Sequence, residues 1–222
     1  MVREPLTVLV AGATGLVGSA LVRQLCEAPG VARVTALSRG PLDVAHERTQ
    51  VTLLNLAQMD AVSPEPAHVA CCALGTTIAA AGSQEAFRRV DYDATLAFAR
   101  DALACGARRF VLVSSVGADP ASGNFYLRVK GEVEQALRAL PFEALAILRP
   151  GLLLGERRES RPAEAVARLL APALNPLLVG PLALYRAVRA DRVAAAMVAC
   201  ASDDRAGVDV LDVPAIERLA GA

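Results

Sequence analysis

A short apolar run that leads into three evenly spaced glycines constrains the fold more than any other feature of the sequence. Leu6–Ala11 predicts a buried strand, and Gly12, Gly15 and Gly18 follow it at three-residue spacing. At a strand-to-helix junction the first glycine permits a tight turn, the second lets the backbone approach a pyrophosphate, and the third lets the helix pack against the strand. The N-terminus of that helix then offers free N–H groups to the phosphates. The spacing predicts a dinucleotide-binding turn, and the alternative is a glycine-rich turn without a ligand.

The rest of the first 150 residues alternates short apolar runs with longer helical patterns. The apolar runs are continuous rather than alternating, which is typical of parallel strands buried on both faces. We therefore predict an α/β protein with a doubly wound parallel-sheet Rossmann fold. Residues 1–222 form a single domain in this interpretation, with a cofactor-binding core at 1–150 and a small substrate-side lobe at 151–222. The predicted strands are Leu6–Ala11, Val31–Ser38, Val51–Asn55, Val69–Leu74, Phe110–Ser115 and Ala144–Arg149. The predicted helices are Gly15–Glu27, Gln84–Ala104, Gly123–Ala139, Pro162–Leu170 and Asp191–Ala201.

Composition narrows the class of protein. Hydrophobic residues make up 54% of the 222 residues, which excludes intrinsic disorder. The 23 basic and 23 acidic residues balance, so electrostatics gives no case for nucleic acid or an anionic membrane surface. The five cysteines are odd in number and form no C-x-x-C pair, which is typical of reduced thiols. With no signal peptide ahead of the first strand, we expect a cytoplasmic protein.

Two further kinds of site are not expected. The apolar segment 169–185 contains three prolines, which argues against a membrane-spanning helix and favours a buried or pocket-lining loop. His46 and His68 have no histidine partner at ligand spacing, so no metal site is predicted.

The end of the second predicted strand bears on the choice of nucleotide. A site that selects NAD usually has an acidic residue there to hold the ribose hydroxyls, whereas this chain has Ser38 and Arg39. An arginine fork suits a 2′-phosphate, so we predict NADP(H) as the cofactor. The alternative is that Arg39 is an ordinary surface arginine. Asn55 and Leu56 end the third predicted strand, where the adenine is expected.

The only lysine of the chain, Lys130, follows Tyr126 by four residues. Positions i and i+4 share a helix face, and a neighbouring ammonium favours the phenolate form of a tyrosine, which is a known way to make a proton donor. Ser115 ends the fifth predicted strand, where a hydroxyl could bond to a substrate carbonyl. The alternatives are an exposed helical pair and a turn-forming serine.

Together these segments resemble the short-chain dehydrogenase/reductase superfamily in its extended or atypical branch, and most closely the Tat-interacting protein family of NADP-binding reductases. The resemblance extends to about residue 165 and weakens after it. Its segments are Cys71–Thr77, Val113–Asp119, Asn124–Glu134, Leu148–Gly151 and Arg157–Pro162.

The resemblance implies catalytic roles for three residues. Tyr126 would be the proton donor, Ser115 would hold the substrate oxygen, and Lys130 would bind the nicotinamide ribose. It departs from the superfamily in two places: the N-N-A-G signature after the fourth strand is absent, and the asparagine of the following helix is replaced near Asp91. The second departure bears on turnover rather than on cofactor binding. The cofactor-binding residues in this interpretation are Gly12, Thr14, Gly15, Leu16, Val17, Gly18, Ser38, Arg39, Asn55, Leu56, Leu74, Gly75, Thr76, Tyr126, Lys130, Pro150, Gly151 and Leu153.

Three functions remain open from the sequence. The first is an NADPH-dependent oxidoreductase that transfers a hydride to a small carbonyl substrate, which is anionic if Arg157, Arg158 and Arg161 contact it rather than forming a solvated loop. The second is a non-enzymatic NADPH-binding sensor or interaction protein on the same fold. The third is an epimerase or dehydratase that recycles its nicotinamide internally, which would favour retained NAD.

Overall fold

The structure is a computed structural model and describes residues 4–38, 42, 46–53, 66–155 and 180–221. Its strands are β1 Leu6–Ala11, β2 Val31–Ser38, β3 Thr49–Leu53, β4 Val69–Cys72, β5 Arg109–Val113, β6 Ala144–Leu148, β7 Leu153–Leu154, β8 Val188–Arg189 and β9 Gly207–Leu211. Within the described residues, seven parallel strands form one sheet in the order β3-β2-β1-β4-β5-β6-β9. The two short strands β7 and β8 pair in parallel in a separate sheet.

Helices cover both faces of the sheet. The helices are α1 Leu16–Glu27, α2 Ile78–Ala81, α3 Gln84–Arg88, α4 Thr95–Ala104, α5 Phe125–Arg138, α6 Ala190–Ser202 and α7 Val213–Ala220. Helices α1, α6 and α7 pack on one face, and α4 and α5 pack on the other. A π-helix, Arg89–Ala94, joins α3 to α4, and a 3₁₀-helix spans Gly180–Tyr185. The predicted doubly wound Rossmann fold is confirmed.

The first strand shows why its four buried positions, Val8–Ala11, are all apolar. Val8 and Val10 pack into the core on the α1 side, whereas Leu9 and Ala11 pack into the core on the α4 side. Because both faces are covered here, a polar side chain at any of these positions would lose its hydration. β1 lies between β2 and β4, so the turn that follows it is at the centre of the sheet.

The ends of three strands, β3, β4 and β5, differ from the predicted ones. β4 ends at Cys72 and β5 ends at Val113, so Leu74 and Ser115 lie in loops beyond the strands. β3 is shifted to Thr49–Leu53 relative to the prediction. The predicted helix Pro162–Leu170 lies outside the described residues.

Within the described residues, no helix is both long and apolar enough to cross a membrane. The same part of the chain contains no group of three or more His, Cys, Asp or Glu side chains placed to hold a metal ion.

Candidate active site

The glycine-rich turn after β1 is shaped by backbone contacts. Gly12 has a φ of +82°, and a Cβ built there would lie 2.5 Å from the carbonyl carbon of Ala73. A Cβ on Gly18 would lie 2.0 Å from the Gly12 oxygen. Both distances are shorter than any real Cβ contact, so only glycine fits at these two positions. The turn therefore brings β1, α1 and the residues after β4 together with no side chains between them.

Gly15 has a different role, because it lies at the protein surface. It is exposed, and a Cβ there would meet the Gly12 oxygen at 3.2 Å. It is the N-cap of α1, no side chain caps this helix end, and the first turn contains no acidic residue. The N–H groups at the start of α1 are thus presented without a competing carboxylate, which suits the phosphates of a dinucleotide. Thr14 is also exposed, while Val17 is buried in the core.

The segment that leaves β6 passes between the turn and the Ser115 loop. The Val116 N–H donates to the Pro150 oxygen at 2.9 Å. A Cβ on Gly151 would lie 2.5 Å from the Arg186 oxygen, so the residues just before β7 and those just before β8 approach at backbone distance. Gly155, just after β7, packs on the side chain of Leu16. Pro150 therefore lies beside the Ser115 loop, and the segment that contains Gly151 and Leu153 leads from there to the start of α1.

Ser115 lies in a loop that is fixed to α5. The Asp119 N–H donates to the Leu127 oxygen at 3.1 Å, and a Cβ on Gly131 would lie 2.2 Å from the carbonyl carbon of Asp119. The loop backbone thus rests directly on the helix that carries Tyr126. Ser115 itself is half-buried, and its hydroxyl makes one long contact, 3.3 Å, to the Val116 oxygen. That hydroxyl is able to turn toward a ligand at little cost.

An ion pair between Arg149 and the buried Glu134 stabilises the start of this loop against α5. The Ser114 hydroxyl donates to Glu134 at 2.5 Å. Arg149, at the end of β6, donates to both oxygens of the same carboxylate, at 3.0 Å from Nε and 2.5 Å from Nη2. The Glu134 side chain is 3% exposed, so its charge is paired inside the protein. The ends of β5 and β6 are thereby tied to α5.

Tyr126 and Lys130 lie on α5 as predicted. Tyr126 is half-buried, and its ring packs on the buried ring of Phe87 with centroids 5.4 Å apart. The Lys130 side chain is 6% exposed, and its Nζ lies 2.7 Å from Oδ1 of Asp91. The other carboxylate oxygen of Asp91 accepts a hydrogen bond from the Thr76 N–H at 2.9 Å.

The charge of Lys130 is maintained by its partners. Burial favours the neutral amine, but the carboxylate of Asp91, the phenol of Tyr126 and the thiol of Cys72 together outweigh burial and raise the pKa of Lys130 above its usual value. The lysine is therefore a buried cation beside Tyr126. A buried cation with an adjacent phenol, at the end of a parallel sheet where ligands bind, is suited to proton transfer.

Asp91 and Phe87 were not predicted as site residues, although the sequence contained a signal. In the segment 84–104, Phe87, Asp91, Thr95 and Phe98 follow helical spacing and are all buried. A charged residue in an otherwise apolar stripe indicates a paired charge in the core.

The remaining predicted residues divide into two groups. Leu74, Gly75 and Thr76 lie in the segment between β4 and α2 that faces Asp91 and Lys130. Ser38 is buried at the end of β2, one strand away from the glycine turn. The second group lies outside the described residues and comprises Arg39, Asn55, Leu56, Arg157, Arg158 and Arg161.

Comparisons with known proteins agree with this geometry. A family model described as NAD(P)H-binding matches residues 12–204. The Fmp52 protein of Emericella nidulans is 42% identical over 177 residues, covering 76% of each chain. The HTATIP2 protein of Rattus norvegicus is 38% identical over 167 residues, covering 73% of this chain and 69% of that protein. A solved structure of MoeE5 with UDP-glucose and NAD has a TM-score of 0.69 at 20% identity, over 93% of this chain and 75% of that one.

These comparisons correct one expectation and limit another. The expected cytoplasmic location is wrong, because the Fmp52 relatives are named mitochondrial. The family description covers NADH and NADPH alike, so the preference for NADP stays a prediction.

Proposed function

The chain belongs to the NAD(P)H-binding family, and its relatives include the Fmp52 and HTATIP2 proteins. From this premise we propose that it is an NADPH-dependent oxidoreductase that reduces a small carbonyl compound. The observation that carries the proposal is the placement of Tyr126 beside the buried cation Lys130, on the helix that also holds the Ser115 loop. A bound nicotinamide supplies the hydride.

Each side chain has a task in this reaction. Tyr126 donates a proton to the carbonyl oxygen as negative charge develops there. Ser115 donates a hydrogen bond to the same oxygen and so fixes the substrate beside the phenol. Lys130 stays protonated, binds the ribose hydroxyls and stabilises the phenolate that remains after proton transfer. The packing of Tyr126 on Phe87 keeps the phenol in place between turnovers.

The residues of the turn fit the cofactor that this function needs. The start of α1 and the exposed Gly15 would hold the pyrophosphate, and the segment Leu74–Thr76 would line the nucleotide. Pro150 and Gly151 would lie near the nicotinamide, beside Ser115.

The proposed preference for NADPH depends on Ser38 and Arg39. Arg39→Ala is expected to abolish a preference of at least tenfold for NADPH over NADH, which corresponds to about 1.4 kcal/mol. Parallel titrations of wild type and variant with both nucleotides measure this. Equal affinities of the wild type for both would remove the argument for a 2′-phosphate site.

A second candidate function, a non-enzymatic NADPH-binding sensor or interaction protein, is favoured by one observation. Asp91 stands where the superfamily has an asparagine, and it engages Lys130 directly. A sensor would bind NADPH tightly and reduce no carbonyl compound.

The experiment that separates the two is a screen of small carbonyl compounds, neutral and anionic, with NADPH and the purified protein. We expect turnover in the wild type and a loss of about 100-fold or more in Tyr126→Phe, since general acid catalysis contributes about that much. Tyr92→Phe is the matched control, because Tyr92 stacks against Arg88 on the neighbouring helix and keeps its ring in the variant. NADPH binding without turnover across the whole panel would favour the sensor. Full turnover in Tyr126→Phe would refute the proton-donor role.

A further inference from the structure

We propose that Asp91 is a positioning residue of this site, which holds the Lys130 ammonium and the Leu74–Thr76 segment in one fixed arrangement. This inference rests on the proposed function for its importance to turnover, but the arrangement itself can be tested without a substrate.

The geometry of Asp91 joins three elements. Its side chain is fully buried, and its two oxygens have different partners. One oxygen meets Nζ of Lys130 on α5 at 2.7 Å, and the other accepts from the backbone N–H of Thr76, in the segment after β4, at 2.9 Å. A single carboxylate in the π-helix thus connects a catalytic side chain to a stretch of backbone that lines the nucleotide.

The backbone at Gly75 lies directly against this ion pair. A Cβ on Gly75 would lie 3.6 Å from the Asp91 carboxylate and 3.8 Å from Nζ of Lys130. Gly75 and Thr76 therefore both contact the ion pair, so a displacement of the Lys130 side chain is expected to displace this backbone, and a displacement of the backbone is expected to move the lysine. Such coupling is typical of groups that must be held within a fraction of an ångström for reaction.

The π-helix explains how a charged residue reaches this position. The segment 84–104 runs as α3, the π-helix Arg89–Ala94 and then α4. A π-turn widens the helix by one residue and shifts the faces on either side of it, and such turns occur frequently at functional sites. Here Phe87 before the widened part packs on Tyr126, and Asp91 within it pairs with Lys130. One helix therefore orients both residues of the Tyr–Lys pair.

The ammonium retains capacity for a ligand after pairing with Asp91. An ammonium has three N–H donors, and the Lys130 Nζ lies 2.7 Å from one carboxylate oxygen of Asp91. The titratable groups that face Lys130 among the described residues are Asp91 from the π-helix, Tyr126 from its own helix and Cys72 from β4. Burial alone would favour the neutral amine, and Asp91 is the first of the groups that oppose this effect. Without that carboxylate the lysine would lose its ion-pair partner, and its pKa would fall.

The chain offers an unusually direct test, because Lys130 is its only lysine. Protein labelled with ¹³C-lysine gives a single side-chain resonance whose pH titration reports Lys130 alone. In the wild type we expect the pKa of Lys130 to lie above the usual lysine value, and in Asp91→Asn we expect it to fall below the wild-type value. Asp93→Asn is the matched control, since Asp93 is an exposed residue of the same π-helix.

Two further readouts distinguish positioning from simple support of the fold. In Asp91→Asn we expect kcat for carbonyl reduction to fall at least tenfold, and NADPH affinity to fall by a smaller factor than kcat. We also expect the alkaline end of the pH–rate profile to change shape, because the charge beside Tyr126 changes. Asp93→Asn should change neither readout.

The outcomes are separable from those of the proposed function. A Lys130 titration that is the same in wild type and folded Asp91→Asn would overturn the inference, whether or not any carbonyl is reduced. If the variant does not fold, the wild-type titration alone decides: a Lys130 pKa at or below the usual lysine value would overturn it, and a raised one supports it. A raised pKa with no turnover in the carbonyl screen would support the arrangement around Asp91 and refute only the enzyme proposal.

Discussion

The two ends of the candidate site are built by opposite means. At the glycine turn the protein brings backbone to backbone and leaves no room for side chains, as at Gly18 against Gly12. At the Lys130 end it buries charged side chains and pairs them, as at Asp91 and again at Glu134. In the proposed function, the first end presents N–H groups to the cofactor, and the second presents charges and hydroxyls to the substrate.

The two ends of the site are therefore expected to tolerate different amino-acid substitutions. A glycine turn fails sterically, so a single added methyl group can displace a strand–helix junction. The Lys130 end is instead destabilised electrostatically, because removing one charged partner leaves the other buried without a compensating charge. Binding and turnover are therefore expected to respond to different substitutions.

The largest effect should come from adding a methyl group at the tightest backbone contact. Gly18→Ala places a Cβ 2.0 Å from the Gly12 oxygen, so the turn must open. We expect a loss of about 4 kcal/mol or more in the free energy of unfolding, measured by urea denaturation. Gly123→Ala is the control, because a Cβ there has open space around it. Equal stability of the two variants would mean that the turn is not tightly packed.

The second largest effect on stability should come from breaking the ion pair between Glu134 and Arg149. Glu134→Leu removes the carboxylate that Ser114 and Arg149 share, and Arg149 is 31% exposed, so it retains partial contact with water. We expect a loss of about 2–3 kcal/mol in the free energy of unfolding, somewhat less than for a fully buried pair. The comparison variant is Glu143→Gln, which breaks an exposed pair with Arg108 and should cost less than about 1 kcal/mol. Equal costs would argue against a structural role for the buried pair.

The smallest effect should appear in the pH dependence of stability. The folded-state pKa of Lys130 is raised, so the stability that its charge contributes is fully present below about pH 10.5 and is lost as the pH rises through the folded value. The difference in unfolding free energy between wild type and Asp91→Asn should therefore narrow above pH 10.5. Denaturation curves of both proteins at several alkaline pH values measure it. A difference that stays constant would show that the lysine is not coupled to Asp91.

The glycine end of the site was predictable from the sequence to a greater degree than the lysine end. Gly12, Gly15 and Gly18 act through their spacing along the chain, so the sequence contains the geometry. The parallel sheet was predictable in the same way, since continuous apolar strands imply cover on both faces, as β1 confirms.

Asp91 was harder to place because its role depends on the fold. Its partner lies 39 positions along the chain, on a helix that is separated from it by α4 and β5. The π-turn that directs it inward has no simple sequence signature. The sequence showed that an asparagine was replaced near this position, but not that the replacement would pair with Lys130.

One pair of variants tests most directly whether the two ends have separate tasks. Gly15→Val adds a side chain at an exposed position where the pyrophosphate is expected; the Gly12 oxygen, 3.2 Å from the new Cβ, must shift by a few tenths of an ångström, and we expect the variant to fold. Titration with NADPH should show binding weakened about 100-fold or more in Gly15→Val and changed less than about threefold in Tyr126→Phe, about 2.7 and 0.7 kcal/mol. Unchanged NADPH affinity in folded Gly15→Val, or lost affinity in Tyr126→Phe, would contradict the account.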